Sequence, residues 1–254
     1  MPFLFLIPVA FLLFASSGAP PAKAAEIDHA REYRSCMTQA KRDPGQAFES
    51  ALAWRDMGGG DAANHCLAVA LMGLKQYAEA AKRFEALAQN TRKEAPFKAK
   101  LLAQAAQALL MDGQTGRADA ALTSALKLKP NDVDLLIDRG FVRASLRRYR
   151  EAVADFDRAI ALIPGRADAF VFRAGAYRYL GEPEKALADA NQALVINPDH
   201  PDGLLERGII LRLKGDKAGA RKDWLKVLSD YPGSAAARVA GANLEQMDVK
   251  EDSP

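Results

Sequence analysis

Pro130, Pro164, Pro198 and Pro232 stand 34 residues apart, and that interval constrains the chain more than any other feature. Self-similarity at this period marks helical hairpins stacked into a solenoid. The unit 133–164 shows the plan: an apolar-periodic helix to about Leu146, a short basic turn, then a second helix from Tyr149 to Ile163. The next two units repeat it, with turns at 181–183 and 215–217. One such hairpin cannot bury its own apolar face, but a stack of them can. The expected fold class is therefore all-α: a right-handed α-solenoid of stacked antiparallel helix hairpins with a C-terminal capping helix.

The charge balance narrows the partners. Lys and Arg number 35 against 32 Asp and Glu, a net charge of +3. That excess is too small and too evenly spread to imply nucleic acid. The basic run Arg143, Arg147, Arg148 and Arg150 reads as a solvated turn, with an anion site as the competing reading.

Residues 3–15 are almost unbroken apolar sequence, too short to span a bilayer comfortably. Ala22-Lys23-Ala24 then offers an A-x-A cleavage signal before Ala25. No Lys or Arg precedes the apolar run. The reading is a secretory signal peptide over 1–24, cleaved near Ala24, with an uncleaved anchor as the alternative. The mature chain is expected to be exported, periplasmic and without a membrane span.

Cys36 and Cys66 are the two cysteines. An even pair in an exported chain reads as a disulfide. Both fall on first helices of neighbouring hairpins, which pack side by side. Closing a loop of about 30 residues would stabilise the fold by roughly 3–4 kcal/mol on chain entropy. Two buried free thiols are the bland alternative. A redox pair lacks its C-x-x-C spacing. Zinc lacks a four-ligand spacing, although His29 and His65 lie near the cysteines. No metal and no cofactor is expected.

In chain order, 25–60 reads as a divergent N-terminal hairpin. Gly58, Gly59 and Gly60 break it; a phosphate cradle there would need a preceding strand and a following Lys-Ser/Thr pair. Asp61 is expected to cap the next helix. Residues 61–95 form a second hairpin with a polar insertion at 90–95 that should lengthen a connection or shift the local superhelix. Four hairpins follow over 96–232, then a capping helix at 233–249 and a disordered tail at 250–254.

The columns are specific. Gly140, Ala174 and Gly208 are small residues in the middle of first helices. Ala80, Ala118, Ala152, Ala186 and Ala220 stand early in second helices. Phe84, Leu122, Phe156 and Trp224 are the bulky residues four further on, where Ala190 departs, and Ala125, Ala159 and Ala193 follow. This pattern resembles the tetratricopeptide repeat family, strongly over 99–232, fairly over 61–90 and weakly over 27–58. The resemblance implies that first helices line a concave face holding peptides or partner helices. The columns expected there carry Gln104, Gln107, Asp138, Phe141, Phe172, Tyr179, Glu206, Ile209 and Arg212. The Lys and Asn pattern with which some relatives clamp a C-terminal carboxylate is absent. Apolar and aromatic contacts are the expected mode of recognition; plain packing between helices is the competing use of Phe141, Ile137 and Ile209.

One covariation comes from the chain alone. Arg139, Arg173 and Arg207 share a first-helix column, and Asp155, Asp189 and Asp223 share a second-helix column. The two preceding hairpins lack the pairing, carrying Ala105 with Ala121 and Leu67 with Arg83. Arg and Asp come and go together, which predicts partly buried bidentate ion pairs within or between hairpins. Three copies in structural columns argue against catalytic carboxylates.

The expected function is a non-catalytic protein-interaction scaffold or adapter in the bacterial cell envelope. An accessory subunit of an envelope enzyme or assembly machine is the alternative. An enzyme is disfavoured, because no nucleophile triad, carboxylate pocket, metal spacing or phosphate loop stands out. Glycan binding by Phe170, Phe172, Tyr177 and Tyr179 is a weaker reading.

Overall fold

A computed structural model of the chain describes residues 27–251. The expected signal peptide and residues 252–254 of the expected tail lie outside that range. The described residues form an all-α solenoid of thirteen α-helices without a strand. They are α1 (His29–Arg42), α2 (Pro44–Trp54), α3 (Gly60–Gly73), α4 (Tyr77–Asn90), α5 (Ala95–Met111), α6 (Thr115–Leu128), α7 (Val133–Ser145), α8 (Tyr149–Leu162), α9 (Ala167–Tyr179), α10 (Pro183–Ile196), α11 (Pro201–Leu213), α12 (Lys217–Asp230) and α13 (Ala235–Glu251). Each helix packs on the next in sequence, and first helices also touch across hairpins, α1 with α3, α7 with α9 and α9 with α11. The last helix packs on α12 and α11, where the first helix of another hairpin would lie. It continues to Glu251, so Lys250 and Glu251 belong to it and not to a tail.

The 34-residue period is set by size complementarity inside each hairpin. A Cβ built on Gly140 would lie 2.5 Å from the Phe156 ring, and one on Gly208 would lie 2.3 Å from Trp224 Nε1. Phe156 and Trp224 are both wholly buried. The small residue lets the ring lie flat on the opposing backbone, and interiors at crystal-like density tolerate no alternative. Ala174 faces a small partner instead, and the gap is closed by Ile210 from the next hairpin.

The turns repeat too. The N–H groups of Gln76, Gln114, Arg148, Glu182 and Asp216 each donate to the carbonyl five residues back, those of Leu71, Leu109, Arg143, Tyr177 and Leu211. This closure needs a left-handed residue just before each donor. Gly113, Gly181 and Gly215 supply it at φ 76°, 75° and 90°, but Lys75 and Arg147 occupy the same place at φ 60° and 59°.

Two local expectations change. The insertion at 90–95 does not lengthen a connection: residues 91–94 join α4 to α5 with four residues, as residues 129–132 join α6 to α7. The extra length is one more turn at the start of α5, which has 17 residues where α7 has 13. An Ala-rich segment opened by Pro96 in the first turn extends a helix more readily than a loop. Asp61 does not cap α3; Gly59 holds that position, and the Asp61 carboxylate accepts from the buried Thr91 hydroxyl. The glycine triplet does break the helix, through a π-helical turn at Arg55–Gly59 with Gly58 at φ 90°. Gly59 lies so close to Trp54 and Ala63 that a Cβ would meet both within 3 Å.

Candidate functional site

Three bidentate ion pairs recur along the stack. Arg139 donates through Nε and Nη2 to Asp155 at 2.9 and 2.6 Å. Arg173 does the same with Asp189 at 2.7 and 2.8 Å, and Arg207 with Asp223 at 2.7 and 2.7 Å. All three are within one hairpin. The third guanidinium nitrogen, Nη1, reaches the preceding hairpin: Thr123 at 3.3 Å, Asp157 at 2.5 Å and Asn191 at 3.3 Å respectively. Thr123, Asp157 and Asn191 are a third polar column, also spaced by 34. Each arginine therefore ties two hairpins together through a planar fork. Where the pair is missing, Ala105 and Ala121 are simply buried.

The basic turn is less solvated than its composition suggests. Arg143 is mostly buried, and bonds Asp119 at 3.1 Å and Asp155 at 2.8 Å. Arg148 bonds Asp119 at 2.6 Å and Glu151 at 2.5 Å. Asp119 belongs to the preceding hairpin, so this turn is a cross-hairpin clasp.

Near the other end, Cys36 and Cys66 form a disulfide with their Cα atoms 6.2 Å apart, joining α1 to α3. Beside it His65 is buried between Tyr33 and Gln104. Nε2–H donates to Gln104 Oε1 at 2.9 Å, and Nδ1 accepts from the Tyr33 hydroxyl at 2.9 Å. Burial pulls the imidazole pKa below its ordinary value, against the Gln104 bond and with help from Lys100. His29 accepts from Trp54 Nε1 at 3.0 Å. Among the described residues no group of three metal-ligating side chains comes together.

The face formed by α7, α9 and α11 carries a cavity of about 690 Å³. Phe141, Phe172, Tyr149, Tyr179, Arg178 and Glu206 are its principal walls. Tyr149 and Tyr179 stack with centroids 4.9 Å apart and planes at 5°. Phe172 meets Phe141 edge-on at 5.6 Å and Phe156 at 6.0 Å. Arg178 lies 4.3 Å over the Tyr179 ring and forks to Glu206 at 2.6 and 3.2 Å. The rings are thus held by one another and by a neutralised ion pair, while Phe141 and Tyr179 stay 47% and 61% exposed.

This cavity has a simple cause. In the 34-residue register Phe141, Gly175 and Ile209 share one column. Gly175 supplies no side chain, and a Cβ there would meet nothing nearer than Glu206 Oε1 at 3.8 Å. The missing side chain leaves the floor of the cavity open. A second cavity of about 430 Å³ adjoins it across Phe141, with Gln104, Gln107 and Asp138 in its lining. Partial withdrawal from water, then Asp134 and Asp132, push the Asp138 carboxyl above the ordinary range, against Arg166.

Seven of the nine expected groove residues therefore line one of two adjoining cavities. Ile209 and Arg212 line neither. Ile209 packs on the core beneath α11 and α13, because the terminal helix covers the end of the groove. Tyr149, Arg178 and Gly175 were not expected. Tyr149 is on a second helix, which column reasoning excludes, and a glycine leaves only an absence to read.

Two tetratricopeptide repeat profiles match the sequence, over residues 106–174 and 173–235. A comparison with curated protein sequences gives no match. Among solved structures, PilW, described as a widely conserved type IV pilus biogenesis factor, is 18% identical with a TM-score of 0.67, covering 85% of this chain and 99% of its own. The C-terminal part of a TPR repeat-containing protein from Cytophaga hutchinsonii is 18% identical with a TM-score of 0.62, covering 82% and 83%. YrrB, described as a TPR protein with an unusual peptide-binding site, is 17% identical with a TM-score of 0.52, covering 71% and 91%. At these identities the likeness is one of fold.

Proposed function

The chain belongs to the tetratricopeptide repeat family, and from that premise we propose that it is a non-catalytic scaffold or adapter of the bacterial cell envelope. Such repeats hold protein or peptide partners. Here the partner sits on the face of α7, α9 and α11, in the aromatic cavity over Gly175. The observation that carries this reading is the cavity's preorganisation: rings stacked on one another yet half open to solvent, with the nearby charge already neutralised. A partner side chain entering it orders little that is not ordered already, and aromatic anchors in concave sites dominate recognition. The envelope setting is supported by the apolar run with its A-x-A signal and by the disulfide, which belongs to an oxidising compartment.

Gly175→Leu separates binding from folding. The side chain would project into the cavity between Phe141 and Glu206 without displacing backbone, and leucine is the better helix former by about 1 kcal/mol. The expected result is a variant of equal or higher thermal stability that loses the crosslinks formed in intact cells by a photoreactive residue at Tyr179. Unchanged crosslinking in Gly175→Leu, or no adduct from Tyr179 in the native chain, sinks the assignment. If the adducted partner co-purifies at fixed stoichiometry, the chain is an accessory subunit of an assembly; weak, salt-sensitive capture identifies an adapter.

A further inference from the structure

We propose that the outer face of α1 docks on an anionic lipid bilayer. Opposite the buried Cys36 and Ala40, this helix presents Arg31, Arg34, Ser35, Thr38, Lys41 and Arg42, all exposed. At 100° per residue the four cations fall within one arc of about 100°, and no acid shares that arc. Three carboxylates stand outside the arc: Asp28 accepts from the Arg31 N–H as the cap of α1 and lies near Arg31 and Arg34, Glu32 pairs with Arg31 at 3.7 Å, and Asp43 accepts from the Gln46 N–H as the cap of α2. A depression of about 580 Å³ runs along this face, with Arg31, Arg34, Thr38 and Arg42 in its lining.

The contrast is with the repeats. There, arginines that reach the neighbouring hairpin meet acids on it: exposed Arg117 with Glu85 at 2.8 Å, half-buried Arg166 with Asp134 at 2.7 Å and half-buried Arg173 with Asp157 at 2.5 Å. An end face that served only solubility would need polarity, not a single sign. Among the described residues α1 has no helix outside it, so its cations are offered outward.

Two features favour a bilayer over another polyanion. The apolar run 3–15 stands 13 residues (16–28) ahead of His29 in sequence, a distance of at most about 45 Å when extended. In the uncleaved alternative the run anchors α1 at that surface; with the signal removed near Ala24 the basic face binds alone. The Cys36–Cys66 disulfide belongs to an oxidising compartment, secreted or at a cell surface, and so outside the nucleic-acid-bearing cytosol and beside a bilayer. Clustered arginines attract anionic headgroups additively, each by about fivefold in affinity. The aromatic cavity lies on α7, α9 and α11, several hairpins away, so lipid docking leaves it open.

The test sediments the purified full chain, disulfide intact, with vesicles of phosphatidylcholine alone or mixed with phosphatidylglycerol. The expected result is binding to the mixed vesicles that falls steeply with salt. The triple variant Arg31→Ser, Arg34→Ser, Arg42→Ser should weaken it by about 100-fold. A control of equal charge, Lys127→Ser, Arg150→Ser, Lys222→Ser, takes its exposed cations from second helices and should leave most binding intact. Circular dichroism and thiol titration check that both variants fold and keep the disulfide. Equal losses in the two variants, equal binding to both vesicle types, or preferential binding to poly-glutamate over phosphatidylglycerol would each overturn the proposal.

Discussion

At Arg207 a single side chain does two jobs, closing its own hairpin on Asp223 and reaching Asn191 in the one before. Asp223 holds the guanidinium pKa above its ordinary value, against the burial that opposes it. Arg207→Ala would leave Asp223, which is buried, without a counter-charge. The expected loss is about 3 kcal/mol, since uncompensated buried charge is costly. The double variant Arg207→Ala/Asp223→Ala should recover most of it, because the third hairpin already runs on Ala105 and Ala121. Urea midpoints of the two singles and the double give the coupling directly; simple additivity would mean the pair is not a unit.

His65 makes a second prediction at this scale. Its pKa is lowered in the fold, so the unfolded chain binds the proton more tightly. Stability then has no dependence on this group above the free imidazole pKa of about 6.5, and falls as pH drops below that value towards the folded pKa. The physical event is loss of the Nδ1 acceptor for Tyr33, with the Lys100 cation nearby. Thermal melts between neutral and mildly acid pH should show the slope in the native chain and a shallower one in His65→Gln.

At the scale of the element, the hairpin turn is one design used five times with two compromises. Lys75 and Arg147 hold a left-handed conformation that glycine adopts freely. Arg147 is exposed, so Arg147→Gly should stabilise the chain by about 0.5–1 kcal/mol. Gly181→Ala should cost a similar amount in the same urea titration. The turn at 113–116 was legible from its glycines, whereas Lys75 and Arg147 carry no composition signal and are found only through the register. The extra turn of α5 was equally hidden: the sequence shows four surplus residues between repeats, but not whether helix or loop absorbs them.

The whole molecule behaves as a one-dimensional stack, in which each hairpin feels mainly its neighbours. Apolar burial is continuous from Ala68 to Ala176, and separate clusters serve the two ends. The disulfide therefore has a local reach. Reducing Cys36–Cys66 removes about 3.7 kcal/mol of loop constraint, and amide exchange should accelerate in α1, α2 and the start of α3 while α7 to α12 keep their protection. Acceleration spread evenly along the chain would show instead that the stack unfolds as one cooperative unit.

By itself the sequence determined whatever repeats. The 34-residue interval, the small and bulky columns and the paired Arg and Asp columns each recur, and recurrence turns a residue type into a position. Tertiary structure decided what happens once: the gap at Gly175, the Tyr149–Tyr179 stack between neighbouring hairpins, and the packing of Ile209 on the C-terminal cluster. The physical reason is that a column reports one environment averaged over the stack, whereas a cavity is a local failure of that average. It exists because one side chain is missing while its neighbours, pinned by ion pairs and by one another, cannot move in to fill the space.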